Sequence, residues 1–268
     1  GGYDPLLGES YTEVAARSRS MHKSQGFGSS GTRGKQIEYL QQWEGERIGK
    51  KPFNGIDTSW DRVEGSKEVA SHIQKAIDEY DETNPAGIIG PLIAARNSLY
   101  DLKDPFWKEI KQREIDDLIK SLAGLYITLS SSESSYSPGD SLTLSFEVVN
   151  RSDVNMKIDQ IRFKYLPNPI SFELPLLNNR RFQTEMKLKI PPQEANAHPY
   201  WLVNKGSLGM YQVNEQERIG LPENNPAISG IVTMNIEGEQ ILYEIPVHHR
   251  RTDPVLGEVV EPLTIGPP

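Results

Sequence analysis

The stretch Ser137–Ser152, SPGDSLTLSFEVVNRS, decides the fold of its half of the chain. Leu142, Leu144, Phe146 and Val148 alternate with polar or less apolar positions. That is the two-residue period of a strand with one face in a core. Ser137-Pro138-Gly139-Asp140 supplies turn residues before the run, and Asn150–Asp153 supplies them after it. The same period recurs further along. Ile161, Phe163 and Tyr165 alternate, as do Phe182, Thr184, Met186, Leu188 and Ile190 against Gln183, Glu185, Lys187 and Lys189. Val232, Met234 and Ile236 face Ile241, Tyr243, Ile245 and Val247 across a turn at Glu237–Gln240. About seven short strands separated by turn signals predict an antiparallel β-sandwich, immunoglobulin-like in style. The Cys–Trp–Cys signature of true immunoglobulin domains is missing, so this expectation rests on patterning alone.

Before Gly124 the period is helical. Val69, Ile73, Ala76, Ile77 and Tyr80 fall on one face of Ser66–Tyr80. Ile88, Leu92, Ala95, Leu99 and Leu102 follow at alternating steps of four and three, with Pro91 marking either a helix start or a kink. Asp104-Pro105 reads as a cap with proline in the first turn, and Ile115, Leu118, Ile119 and Leu122 give a third seam that ends at Gly124. Three amphipathic helices with short loops predict a small antiparallel bundle. The fold class expected is therefore α+β: residues 1–62 an N-terminal segment, 63–124 a three-helix bundle and 125–268 the sandwich. The boundary near Gly124–Leu129 is short and apolar, so the helices are expected to pack rigidly on the sandwich.

The chain has 268 residues, a formal net charge of −8 and no cysteine. The charge argues against a general nucleic-acid surface, which needs clustered Lys and Arg. Disulfides, thiolate nucleophiles and Cys-ligated zinc are excluded. The longest apolar runs are short and interrupted, so no transmembrane segment is expected. Gly1-Gly2 reads as a tag remnant or a cut point, and the opening YDPLLGESYTEVAARS reads as the middle of a larger protein.

Within the N-terminal segment, Tyr11–Gln25 is predicted as a helix, with Ser10 and Glu13 forming a capping box. Gly26 and Gly28 stop it. The run Ser18–Gly34, SRSMHKSQGFGSSGTRG, gathers a His, a Gln, basic residues and several glycines that no helix or strand needs. Lys35–Glu46 fits a strand or a short helix. Gly55–Arg62, GIDTSWDR, reads as a loop with one large aromatic.

MHKSQGFGSSGTRG (Met21–Gly34), GIDTSWDRV (Gly55–Val63), DPFWKEIKQREIDDLIKSLAGL (Asp104–Leu125) and the Ser137–Ser152 stretch occur in this order. PYWLVNKGSLGMYQV (Pro199–Val213) and DPVLGEVVEPLTIGPP (Asp253–Pro268) complete the series. Together they resemble the region that follows the catalytic core of large bacterial PIG-L/LmbE family N-deacetylases. The resemblance implies a parent hydrolase that removes acetyl groups from N-acetylglucosamine-type substrates with zinc. Its zinc motifs, His-Pro-Asp-Asp and a His-x-x-His-like element, are not in this chain. His198-Pro199 is followed by Tyr200-Trp201, and His248 and His249 are adjacent. The resemblance therefore implies no catalytic residue and no metal ligand here. It places zinc in a preceding catalytic domain of the same polypeptide, which becomes the expected partner. His22-Lys23-Ser24-Gln25 matches a His-x-x-Gln that closes the family's catalytic fold, so His22, Gln25 and Arg33 are candidates for a substrate rim. By analogy, the compartment favoured is the cell envelope or the exterior.

Each candidate carries a plainer reading. His22 near the negative end of a helix suits a C-terminal cap, and Gly26–Gly34 suits a connector as readily as an anion cradle. Trp60 with Asp57 and Arg62 suits sugar stacking or a loop anchor, and Trp107 suits the core. Tyr200, Trp201 and Tyr211 suit a glycan-stacking platform or a sandwich core. Glu44/Glu46 and Asp116/Asp117 read as solvated faces. The alternative to an accessory region is an independent carbohydrate- or protein-binding module.

Overall fold

A computed structural model of the chain describes residues 2–45, 49, 53, 55–194 and 197–267. Gly1 and Glu46, both read above, lie outside the described residues. The chain divides into two compact units, Gly1–Asp57 and Thr58–Pro268.

In the first unit a short hairpin, β1 (Tyr3–Asp4) and β2 (Glu9–Ser10), leads into α1 (Tyr11–Ser20). The expected capping box is present. Glu13 N–H donates to Ser10 Oγ at 3.4 Å, and Ser10 N–H donates to Glu13 Oε2 at 3.0 Å. The helix stops at Ser20, short of the predicted Gln25. His22 leaves helical geometry at ψ 58°, a single 3-10 turn follows at Lys23–Gln25, and Gly26 closes it at φ 67°. Lys35–Trp43 is neither strand nor helix. Among the described residues of this unit only Ser10 and Ala16 are buried, so it has almost no core of its own.

The second unit opens with α2 (Lys67–Asp78), α3 (Ile89–Ser98) and α4 (Pro105–Leu122). α3 packs against both of the others. Pro91 sits in the first turn of α3, where its missing N–H would have had no helical partner. Phe106 N–H donates to Asp104 Oδ1 at 2.9 Å, as the Asp-Pro start of α4 predicts. Val69, Ala76, Leu92, Ala95, Leu99, Ile115 and Ile119 are buried. Ile77, Tyr80 and Leu118 are exposed, contrary to the predicted seams. α2 packs chiefly against α3, so its buried stripe is narrower than its apolar stripe.

Ten strands follow. They are β3 (Tyr126–Ser131), β4 (Ser135–Tyr136), β5 (Ser141–Val149), β6 (Met156–Phe163), β7 (Ile170–Leu176), β8 (Arg181–Lys189), β9 (Ser229–Ile236), β10 (Glu239–Asp253), β11 (Gly257–Pro262) and β12 (Thr264–Ile265). The main sheet runs β7-β6-β9-β10-β3-β5-β8, with β11 on β10. β10 is the joint. Its first half pairs antiparallel with β9, from Glu239↔Ile236 to Pro246↔Ser229. Its second half pairs with β11, and parallel with β3 from Val247↔Leu129.

The sheet is thus mixed, not antiparallel as predicted, and β12 also pairs parallel with β4. Alternation reports which face is buried and is silent on chain direction. Tyr126–Ser131, which begins within the boundary expected near Gly124–Leu129, is the first strand of the sheet and is paired on both edges. The β9–β10 turn is tighter than predicted, with Glu237 and Gly238 both at positive φ (52° and 91°).

The sheet curls until its ends meet. Phe172 on β7 and Phe182 on β8 have ring centroids 5.6 Å apart, and Phe146 on β5 lies 5.6 Å from Phe172. Gly230 is needed where the layers approach. A Cβ there would lie 2.8 to 2.9 Å from side-chain atoms of Leu129, Ile161 and Phe163. One apolar core runs from the helices through the sheet. Across that junction the Tyr243 hydroxyl donates to Asp116 O at 3.0 Å, and Asn97 Nδ2 donates to Glu239 Oε1 at 3.1 Å.

Candidate functional site

In the first unit the glycine-rich run is laced to α1. Ser29 N–H donates to Ser20 Oγ at 3.1 Å, Thr12 Oγ1 donates to Thr32 O at 2.6 Å, and Arg33 Nε lies 3.0 Å from Glu13 Oε1. Gly31 makes the fit possible, since a Cβ there would stand 2.6 Å from the Glu13 Cα. A Gly31→Val variant is therefore expected to lift the loop from α1. Loss of hydrogen-exchange protection at the Ser29 amide, with α1 retained by circular dichroism, checks this. Unchanged protection at Ser29 would contradict it.

A hollow of about 590 Å³ lies beside this loop, lined by Tyr3, Ser10, Glu13, Arg33 and Gly34 among others. The backbone and hydroxyl bonds from Ser10, joined by Arg33, hold the Glu13 carboxyl below its ordinary range. Glu9 is lowered too, by the two 2.7 Å bonds from Arg17. Arg33 belongs to this hollow, and His22 and Gln25 do not line it. The latter two are linked through the backbone, Gln25 N–H to His22 O at 3.1 Å. The His22 ring lies 6.5 Å from Phe27, whose own face carries the Arg19 guanidinium at 5.5 Å.

The second unit holds Trp60 and Arg62, on a 3-10 turn at Trp60–Arg62. Arg62 stacks at 5.0 Å over Trp107, and Lys111 Nζ lies 5.9 Å from Trp60 and 5.7 Å from Trp107. The two indoles and two cations frame a notch of about 160 Å³. Cations already occupy these aromatic faces. Lys111 reads from the sequence as an ordinary helix position and Trp107 as a core residue, so neither signals a site until the fold brings them together.

A cleft of about 760 Å³ opens in the long connection between β8 and β9. Trp201 lines it. Tyr200 meets Trp201 edge-on at 4.9 Å and donates its hydroxyl to Leu221 O at 2.8 Å. Tyr211 is exposed and lines no part of this cleft. The predicted trio is thus a pinned pair and a separate tyrosine. Asn224 and Arg218, which shape the cleft, carried no sequence signal beyond a polar loop.

Asp116 corrects another reading. It does not lie on a solvated face but is buried at 8% exposure and paired with Arg96, itself 6% exposed. Burial pushes its carboxyl above the ordinary range, with Arg96 pulling the other way. Among the described residues no three His, Asp or Glu side chains converge as metal ligands do. None of the described helices is long and apolar enough to cross a membrane.

No protein-family model matches the chain, and no curated protein matches it. Among solved structures it is similar to the sporulation control protein Spo0M of Bacillus subtilis, at 9% identity and a TM-score of 0.25 over 46% of this chain and 49% of that one. It is also similar to the alkylpurine DNA glycosylase AlkC of Pseudomonas fluorescens bound to DNA with an abasic-site analogue (13%, 0.21, 59% and 47%). A third is the β-glucosidase EmGH1 of Erythrobacter marinus (12%, 0.20, 46% and 15%). The chain spans under half of each of these proteins. What stands is the class the fold itself defines: an α+β chain with a helical group on a curled mixed sheet.

Proposed function

We propose that this chain is a non-catalytic accessory region of a zinc-dependent N-deacetylase of the PIG-L/LmbE type, acting on N-acetylglucosamine-type substrates. One observation carries the reading beyond motif order. The first unit leaves Leu6 95%, Tyr39 91%, Leu40 83% and Trp43 94% exposed while burying almost nothing. Large apolar side chains displayed in such number mark a surface that another body covers. In this reading the cover is the preceding catalytic domain, which holds the zinc, and the unit with Arg33 braces it near the substrate rim. The curled sheet serves as an immunoglobulin-style brace; the contact of Phe146 with Phe172 across its faces supports that, although its pairing is mixed.

The test compares this chain with the polypeptide extended upstream. The chain alone, supplied with zinc, is expected to leave N-acetylglucosamine derivatives intact. The extended protein is expected to deacetylate them and to protect Tyr39 and Trp43 from solvent. Its activity and stability are expected to fall on Leu6→Asp with Trp43→Asp. Turnover by the chain alone, or an upstream sequence without a His-Pro-Asp-Asp motif, defeats the reading.

A further inference from the structure

The cleft beside Trp201 has the features of a built binding site. Its volume of about 760 Å³ lies within the usual range of small-molecule sites, roughly 300–1,000 Å³. Its floor is apolar, with Leu263 and Ile265 both buried. The aromatic wall is fixed from two sides. Tyr200 N–H donates to Asn224 Oδ1 at 2.9 Å, and Asn224 Nδ2 donates to His198 O at 2.7 Å. With the Tyr200 hydroxyl also anchored, the ring that the half-buried Trp201 meets edge-on is held in place before any ligand binds.

Around that wall stand planar polar groups with hydrogen-bonding capacity left. The side chains of His198, Glu223 and Asn225 have no hydrogen bond among the described residues, and Arg218 is engaged by Glu215 through Nε at 2.6 Å. The lining carries two carboxylates, Glu194 (paired with Lys164) and Glu223, against a guanidinium already balanced by Glu215, which gives no net positive field, so a phosphate group is poorly matched. An extended peptide is poorly matched as well. The backbone it would need at Ile265 is taken, because Ala197 N–H donates to Ile265 O at 2.6 Å and the other edge pairs with β4. A ligand with one apolar face and a rim of neutral hydroxyls fits both the indole and the amide–carboxylate border.

We propose that this cleft binds one pyranose unit of an uncharged saccharide, its apolar face on Trp201 and its hydroxyls on Asn225 and Glu223. The site stands on the second unit alone, so it holds or fails separately from the deacetylase reading. The whole chain is titrated with the tetrasaccharides of N-acetylglucosamine, glucose and mannose by tryptophan fluorescence and calorimetry. At least one is expected to bind. Trp201→Ala is expected to weaken it by at least about tenfold, the loss typical of an aromatic anchor. Tyr211→Ala, outside the cleft, is expected to leave it unchanged. Asn225→Ala, an exposed position, is expected to weaken binding several-fold and decides the matter should Trp201→Ala misfold. No binding at millimolar saccharide, or binding that survives these two cleft substitutions, overturns the proposal.

Discussion

Asp116→Ala is expected to lower the unfolding free energy by about 3–5 kcal/mol, read as a drop in the urea midpoint with little change in slope. Arg96 explains the size. It is 6% exposed, lies on α3 and has Asp116 on α4 as its ion-pair partner. Truncating the carboxylate leaves a guanidinium in the core with neither water nor counter-charge. Replacing both members, Arg96→Met with Asp116→Leu, removes the two desolvation penalties together. That double variant is expected to recover most of the loss. A double variant as unstable as Asp116→Ala would show that the effect is packing and not an orphaned charge.

The same pair fixes a sign for pH. Burial raises the folded Asp116 carboxyl above its unfolded value, so the folded state holds that proton more tightly. The contribution of this group to stability is then fully present below the ordinary aspartate range. It is lost as pH rises through the raised folded value. The half-buried Glu9 and Glu13 act in the opposite sense, since their folded values are lowered: their contribution is present above the ordinary glutamate range and is lost as pH falls through the folded values.

These two groups show what a sequence can and cannot disclose. Ser10 and Glu13 are three residues apart, and the capping box they form is local chemistry, legible in the order of letters. The strand faces of β5, β8 and β9 are legible for the same reason, because period two is a property of neighbours. Asp116 looked solvated because its partner lies 20 positions away, a separation no helical period reports. Chain direction in the sheet was hidden for a related reason. β3 and β10 are far apart in sequence, and either orientation would bury Leu129 and Val247. At the candidate sites the aromatic residues were visible as types. Lys111 beside Trp60 and Asn224 in the cleft with Trp201 are brought near only by the fold.

Phe146→Ala tests the closure of the sheet. Phe146 is fully buried on β5, between Leu129 on β3 and Thr184 on β8 in register. Its ring also meets Phe172 at 5.6 Å and Phe182 at 6.2 Å. Removing it deletes the transfer energy of a benzyl group and leaves a cavity whose walls belong to three strands. Those walls are tied by backbone ladders and cannot all move inward, so the expected loss is about 3–5 kcal/mol. Phe172→Ala, at a half-buried ring on the edge strand β7, is expected to lose less, since solvent and local movement can fill part of the space. The order of the two losses is the informative quantity. If Phe172→Ala proved the more damaging, the contact between the sheet's ends, and not the interior of β5, would be what holds the curl together.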